Sequence, residues 1–187
     1  MKIKIDQKMS DEDIVEYVRT TDKESFSHII DRYETRIMMY IKRLTNNSSE
    51  SEDLTQQTLV NVYKNLNSFK LDNKFSSWIY RIAHNITINW LKKKKADVYL
   101  DDDSSYLQIA SKLNIENDFT NTEAGIEINK ALNKLPKKQK EPFILKYIED
   151  KSYEEISYIL RMPKNTVGTH IARAKKSLKK ELEKYVR

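Results

Sequence analysis

Apolar residues recur every three or four positions along most of the chain, which is the spacing of amphipathic helices. One stripe predicts a helix over residues 26–44 and comprises Phe26, Ile29, Ile30, Tyr33, Ile37, Tyr40, Ile41 and Leu44. A second stripe predicts a helix over 52–66 and comprises Leu54, Leu59, Val62, Tyr63 and Leu66. Ser49 with Glu52 has the spacing of a capping box that opens this second helix. A third helix is predicted from Phe75 to the four lysines at 92–95.

The helical pattern returns in the last third of the chain. Helices are predicted over 126–135 and 137–148, and Ser152 with Glu155 forms a further capping box for a short helix. Pro163 separates that helix from a longer one, whose stripe is Val167, Ile171, Ala174, Leu178 and Leu182. With only two glycines and three prolines, the chain has few tight-turn residues, so we expect an all-α fold.

Charge divides the chain into three parts. Residues 25–95 hold 12 basic and six acidic side chains, and residues 126–187 hold 16 and eight, whereas residues 96–125 hold one and seven. The acidic segment also has weak periodicity, which predicts a flexible linker over 96–125 between small helical domains at 1–95 and 126–187. Basic domains favour polyanionic partners such as nucleic acid, although basic charge can also serve solubility alone.

Composition excludes several classes of protein. The absence of cysteine removes disulfides, thiolate catalysis and cysteine-type zinc sites, and it suits a reducing cytoplasm. No apolar run is long enough to span a bilayer, and no signal peptide is visible, so we expect no stable membrane insertion. We predict no metal and no other cofactor.

The last two predicted helices have the pattern of a helix-turn-helix, whose second helix enters the major groove of DNA. Opposite the apolar stripe of the second helix lie Asn165, Thr169, His170, Arg173 and Lys176. Hydrogen-bonding side chains in the first turns are what a major-groove reader requires. The alternative is a plain helical bundle with a solvated basic face.

The predicted third helix combines aromatic rings with polar and basic side chains. Its polar face comprises Arg81, His84, Asn85, Ile88 and Lys92, and its aromatic residues are Phe75, Trp78, Tyr80 and Trp90. Rings and cations together suit single-stranded nucleic acid, because bases stack on rings while cations follow the backbone. Trp78 shares a face with Ile82 and Ile86, however, and this favours a place for Trp78 in the core.

Two groups of motifs resemble the extracytoplasmic-function (ECF) sigma factors of bacteria. The first is DLTQQT at 53–58 followed by FSSWIYRIAHN at 75–85. The second is ALNKLP at 131–136 with KY at 146–147, SYEEI at 152–156, NTV at 165–167 and ARAK at 172–175. Both groups stand in the order and at the spacing of the family, over about four-fifths of the chain.

The resemblance implies a promoter-recognition subunit of RNA polymerase that is not itself an enzyme. It implies that core polymerase binds at Asp53, Gln56 and Gln57, and that residues 70–76 and the helix after them melt and read the minus-10 element. The implied minus-10 residues are Lys70, Asn73, Lys74, Ser76, Arg81, His84, Asn85 and Lys92. The implied minus-35 residues are Asn165, Thr166, Thr169, His170, Arg173 and Lys176. An anti-sigma factor is a further expected partner.

The sequence departs from the family pattern at a few positions. Gln57 replaces a usual glutamate, Arg161 and Asn165 stand where glycines are common, and residues 168–170 read GTH instead of a Lys-Ser-Arg-like triplet. Two other functions fit the sequence less well. A stand-alone duplex-binding regulator would not need the 53–58 motif or the aromatic third helix, and a hydrolase using Asp101, Asp102 and Asp103 would place its carboxylates in the predicted linker.

Overall fold

The structure is a computed structural model that describes residues 9–100 and 123–183. The chain separates into two compact units, divided between Asn114 and Ile115. The first contains α1 (Asp11–Thr20), α2 (Ser27–Thr45), α3 (Ser48–Lys64) and α4 (Phe75–Leu100), with 3-10 turns at Lys23–Phe26 and Leu66–Ser68. The second contains α5 (Glu123–Asn133), α6 (Lys137–Tyr147), α7 (Tyr153–Leu160) and α8 (Lys164–Leu182). Every regular element in the described ranges is helical, which confirms the predicted all-α class.

The core of the first unit forms where α2 packs against α3 and α4. The apolar stripe predicted for α2 supplies much of it, because Ile29, Ile37 and Ile41 are fully buried. Tyr40 is also buried, and its ring meets that of Tyr80 edge-on at 5.2 Å. Aromatic pairs of this geometry add to the stabilisation from burial. Helix α4, which is the third helix of the sequence prediction, therefore contributes aromatic rings to the core as well as to the surface.

Two features of the first unit differ from the predictions. Helix α1 was not predicted, yet it buries Ile14, Val15, Tyr17 and Val18 and is capped by the Ser10 side chain. The predicted capping box at Ser49 is wrong. Helix α3 begins at Ser48, and the Asn47 side chain accepts the N–H of Glu50 at 3.2 Å. Asn and Ser are equally good N-caps, so the run of Asn and Ser residues before α3 left several starts open.

Two helices extend into the range predicted as the linker. Helix α4 continues to Leu100, five residues beyond the predicted end of the first domain, and α5 begins at Glu123, three residues before the predicted start of the second. The linker over 96–125 stays a prediction, since residues 101–122 lie outside the described ranges.

The second unit is organised around α8. Its stripe of Val167, Ile171, Ala174 and Leu178 is buried, as predicted. One hydrophobic cluster of the core joins Ala174 and Leu178 of α8 to Ala131, Leu132 and Leu135. Ser152 and Glu155 form the predicted capping box, with both hydrogen bonds present. This cap and Pro163 fix the start of α7 and the start of α8, and so set the turn between the two helices.

Candidate functional site

The outward face of α3 carries the three residues predicted to bind polymerase. Asp53, Gln56 and Gln57 are all exposed, and their spacing places them on one side of the helix. The opposite side is buried through Leu54, Thr58 and Val62, among others. We call the exposed side the α3 face.

An apolar groove next to this face was not predicted. It has a volume of ≈ 480 Å³ and lies between the start of α2 and the second half of α3. Its apolar lining comprises Phe26, Ile30, Leu59, Val60 and Tyr63. Tyr63, predicted to belong to the inward stripe, is 44% exposed, and its ring packs on that of Phe26 with ring centroids 5.0 Å apart.

The predicted minus-10 loop lies between two buried aromatic residues. Phe69 and Phe75 are buried, with ring centroids 5.4 Å apart, and Trp78 packs on both. Between them, residues 70–74 are all exposed, including the predicted Lys70, Asn73 and Lys74. We call these five residues the reading loop. Ser76 lies in the first turn of α4 and is half-buried.

The helix α1 contacts both ends of this loop. Arg19 donates from Nε to the Leu66 carbonyl at 3.0 Å and from Nη2 to the Phe69 carbonyl at 2.6 Å. At the other end, the backbone N–H of Phe75 donates to Glu12 Oε1 at 2.7 Å. Sequence reasoning missed Arg19 and Glu12, because nothing in the local pattern indicates contacts across 47 to 63 positions of the chain.

Beyond Ser76, helix α4 holds three of its four other predicted residues near solvent. Arg81 and Asn85 are half-buried and Lys92 is exposed. His84 differs, since it is only 8% exposed and its Nδ1 lies 3.1 Å from the Tyr40 hydroxyl inside the core. Trp78, which the sequence favoured as a core residue, is half-buried on the same outward side.

The outward side of α8 gathers the residues predicted to contact the minus-35 element. Asn165, Thr169, Arg173 and Lys176 are exposed and lie opposite the buried stripe, while Thr166 and His170 are half-buried at its edge. We call these six residues the α8 face. The Thr169 hydroxyl donates to the Asn165 carbonyl at 2.9 Å, so its hydrogen is used within the helix. The Nδ1 atom of His170 is buried with no hydrogen-bonding protein partner in the described structure.

The second unit buries two charged residues in α6, Lys140 and Glu141, and two more, Glu149 and Lys151, in the turn between α6 and α7. Burial raises the pKa of the Glu141 carboxyl to about 7 and lowers the pKa of the Lys140 ammonium to about 8. Lys140 donates to Asn133 Oδ1 at 2.7 Å, and Lys137 Nζ lies 3.7 Å from Glu141 Oε1. These pairings are those of a domain core.

Residues 9–100 and 123–183 contain no cluster of histidine and carboxylate side chains that could hold a metal ion. None of the helices in those ranges is both long enough and apolar enough to cross a membrane.

Each of the two units matches a known protein family. The family model for sigma-70 region 2 matches residues 29–96, and the model for sigma-70 region 4 matches residues 126–178. The chain is 36% identical over 176 residues to the ECF RNA polymerase sigma factor SigW of Bacillus subtilis, covering 90% of this chain and 94% of the relative. It is 27% identical over 185 residues to the RNA polymerase sigma-H factor of Pseudomonas aeruginosa, covering 95% and 96%.

A solved structure shares the fold. It is the complex of the sigma factor RpoE with the anti-sigma factor NepR from Bartonella quintana. The TM-score is 0.69 at 22% identity, and the match covers 86% of this chain and 98% of the other. The chain therefore belongs to the ECF sigma factors, the subunits that direct bacterial RNA polymerase to initiate transcription at specific promoters.

Proposed function

We propose that the second unit reads the minus-35 element as duplex DNA through the α8 face. The observation that carries this proposal is the position of Asn165, Thr169 and Arg173, exposed in the first half of a helix whose opposite side is buried. A helix-turn-helix needs its second helix to be fixed to the domain on one side and free to enter the major groove on the other.

The residues of the α8 face can take different roles. Arg173 is the only arginine of α8, and a guanidinium can pair bidentately with guanine or with phosphate. Lys176 lies one turn further along and suits a phosphate. The Thr169 hydroxyl hydrogen is engaged with Asn165, which leaves its oxygen lone pairs and its methyl group for contact with a base.

The proposal for the first unit is that the reading loop and the outward side of α4 bind the unpaired minus-10 strand. Lys70, Lys74 and Lys92 are exposed cations that can follow its backbone, and Trp78 offers a half-buried ring in the first turn of α4. His84 is not part of this proposed contact surface, because its side chain is enclosed by the core and its Nδ1 faces Tyr40.

The α3 face is proposed as the contact with core polymerase. Asp53, Gln56 and Gln57 are exposed without any apolar packing role, and the apolar groove beside them adds a surface that a protein partner could cover. The RpoE relative is held by an anti-sigma factor in its solved complex. We propose that an anti-sigma factor is a partner of this chain as well.

On this proposal the chain is a specificity subunit with no catalytic site of its own. Polymerase supplies the chemistry of RNA synthesis, and the chain supplies the choice of start site. A subunit of bacterial RNA polymerase works where the chromosome lies, so the cytoplasmic location predicted from the sequence is part of the same proposal.

The test is transcription by reconstituted holoenzymes on a promoter library randomised at the minus-35 element, at two salt concentrations. Arg173→Ala should relax the preference at one position by about tenfold if Arg173 contacts a base, or weaken all sequences alike if it contacts phosphate. Lys180→Ala is the matched control, since Lys180 is an exposed cation about 10 Å further along α8. Wild-type output and preference from Arg173→Ala and Thr169→Ala at both salts would contradict the placement of the reader.

A further inference from the structure

The reading loop has no buried residue of its own. Residues 70–74 are all exposed, and within them one backbone bond, from the Asn73 N–H to the Lys70 carbonyl at 3.0 Å, marks a single turn. The shape of such a loop depends on how its two ends are held, because exposed side chains contribute little packing.

At the entry, Arg19 holds the backbone from the last turn of α1. Its guanidinium bonds to the Leu66 and Phe69 carbonyls, and its carbon Cζ lies 5.8 Å from the centre of the Phe69 ring. The bonds are charge-assisted and part-buried, and one planar group spans both carbonyls. Loss of Arg19 would leave these carbonyls without this donor and free the chain just before Lys70.

At the exit, Glu12 holds the start of α4. The Phe75 N–H belongs to the first helical residue, and such an N–H has no partner within its own helix. Glu12 accepts it at 2.7 Å, and a carboxylate at this position is also favoured by the helix dipole. Glu12 and Arg19 are both on α1, so one helix fixes both ends of the reading loop.

We infer that Arg19 and Glu12 are positioning residues for minus-10 recognition. They hold the reading loop in its DNA-binding shape before the strand arrives, so that less conformational entropy is lost on binding. A loop released at either end would still carry Lys70, Asn73 and Lys74, but it would present them in many arrangements, and the right and wrong bases would differ less in affinity. This inference rests on the proposed function of the reading loop.

The experiment uses full-length holoenzymes on two promoter libraries, one randomised at the minus-10 element and one at the minus-35 element. In Arg19→Ala and Glu12→Ala, the ratio between the most and least favoured base at the most selective minus-10 position should fall about tenfold. The minus-35 preference should not change. Binding of the same holoenzymes to a single-stranded oligonucleotide pool randomised at the minus-10 positions should lose the same selectivity.

Conservative variants distinguish a positioning role from a general loss of folding. Glu12→Gln keeps a side-chain oxygen that can accept the Phe75 N–H, so it should retain most of the selectivity that Glu12→Ala loses. Arg19→Lys keeps the charge but replaces the planar guanidinium, which donates from two nitrogens, with a single ammonium nitrogen, so its selectivity should be intermediate while the unit stays folded. Arg32→Ala is the matched control, because Arg32 bonds to the Met9 carbonyl at 2.9 Å and to Asp11 at 2.7 Å, at the start of α1. It should keep the minus-10 preference even if it lowers the melting temperature.

An Asn73→Ala holoenzyme distinguishes this inference from the proposed function. If Asn73→Ala loses minus-10 selectivity while folded Arg19→Lys and both Glu12 variants keep it, the positioning role is overturned and the loop remains the reader. If Asn73→Ala, Lys70→Ala and the α1 variants all keep wild-type selectivity, the loop is not the reader, and the proposed function of the first unit fails together with the inference.

Discussion

Arg161 ends α7 with a backbone conformation that is costly for its residue type. Its φ is 52°, in the left-handed region, and its N–H closes the helix by donating to the Ser157 carbonyl. Glycine adopts this conformation without the steric cost of a Cβ, so Arg161 stands at a position that favours glycine. The turn between α7 and α8 is therefore formed despite Arg161.

Arg161→Gly should stabilise the second unit by about 1 kcal/mol, since it removes the strain of the left-handed residue. Amide hydrogen exchange in α7 and α8 measures this, because both tryptophans lie in α4 and their fluorescence reports only on the first unit. Asn46→Gly is the control. Asn46 has the same conformation at φ 54°, but asparagine tolerates it, so the gain should be smaller. A destabilised Arg161→Gly protein would contradict this explanation of the turn.

Glu141 makes the stability of the second unit depend on pH. In the unfolded chain the carboxyl loses its proton near its ordinary pKa of 4.5, whereas burial raises its pKa in the folded chain to about 7. The folded state thus binds the proton more tightly, and the stabilisation linked to this group is complete below pH 4.5 and is lost as pH rises through 7.

Glu141→Gln should remove this dependence, because the amide has no proton to lose. Relative to the wild type, the variant should gain on the order of 2 kcal/mol between pH 5 and pH 8, with little difference at pH 5. Hydrogen exchange in α6 and α8, corrected for the intrinsic exchange rate at each pH, measures the gain. An equal effect of the substitution at both pH values would show that the Glu141 proton is not responsible.

Among the elements, those with a long apolar stripe could be predicted from sequence. Helix α8 followed its stripe closely, since four buried positions at helical spacing define one face. Helix α1 was missed because its buried residues span little more than one turn, from Ile14 to Val18. The α8 face could also be predicted, because it lies opposite the buried apolar stripe of its helix. The hydrogen bonds that Arg19 and Glu12 make with the ends of the reading loop could not be predicted, because they depend on tertiary contacts that no local pattern encodes.

The α3 face yields a prediction about partner binding. Asp53→Lys should weaken binding to core polymerase about tenfold or more while leaving the first unit folded, because Asp53 is exposed and has no packing role. Binding is measured by titration with purified core polymerase, and folding by tryptophan fluorescence during urea unfolding. Glu16→Lys, a charge reversal at an exposed acid of α1, is the control and should bind normally. Wild-type affinity in a folded Asp53→Lys protein would show that the α3 face does not contact polymerase.

At the scale of the whole molecule, sequence similarity spans both units. The sigma-70 models match residues 29–96 and 126–178, and the Bacillus subtilis relative aligns with 90% of the chain. A stand-alone regulator would require only the second unit. The exposed α3 face and the reading loop have no use in that function, whereas the function proposed for this chain uses both.

We expect this chain alone to give core RNA polymerase its choice of promoter, with one element read by each unit. The direct measurement is transcription by sigma-free bacterial core polymerase, with and without the purified chain, on DNA randomised at both elements, followed by sequencing of the transcript starts. We predict specific starts only with the chain present, downstream of two enriched elements, with the upstream one sensitive to Arg173→Ala and the downstream one to Asn73→Ala. Unselective transcription in the presence of a chain that still binds duplex DNA would contradict the account and favour a stand-alone regulator.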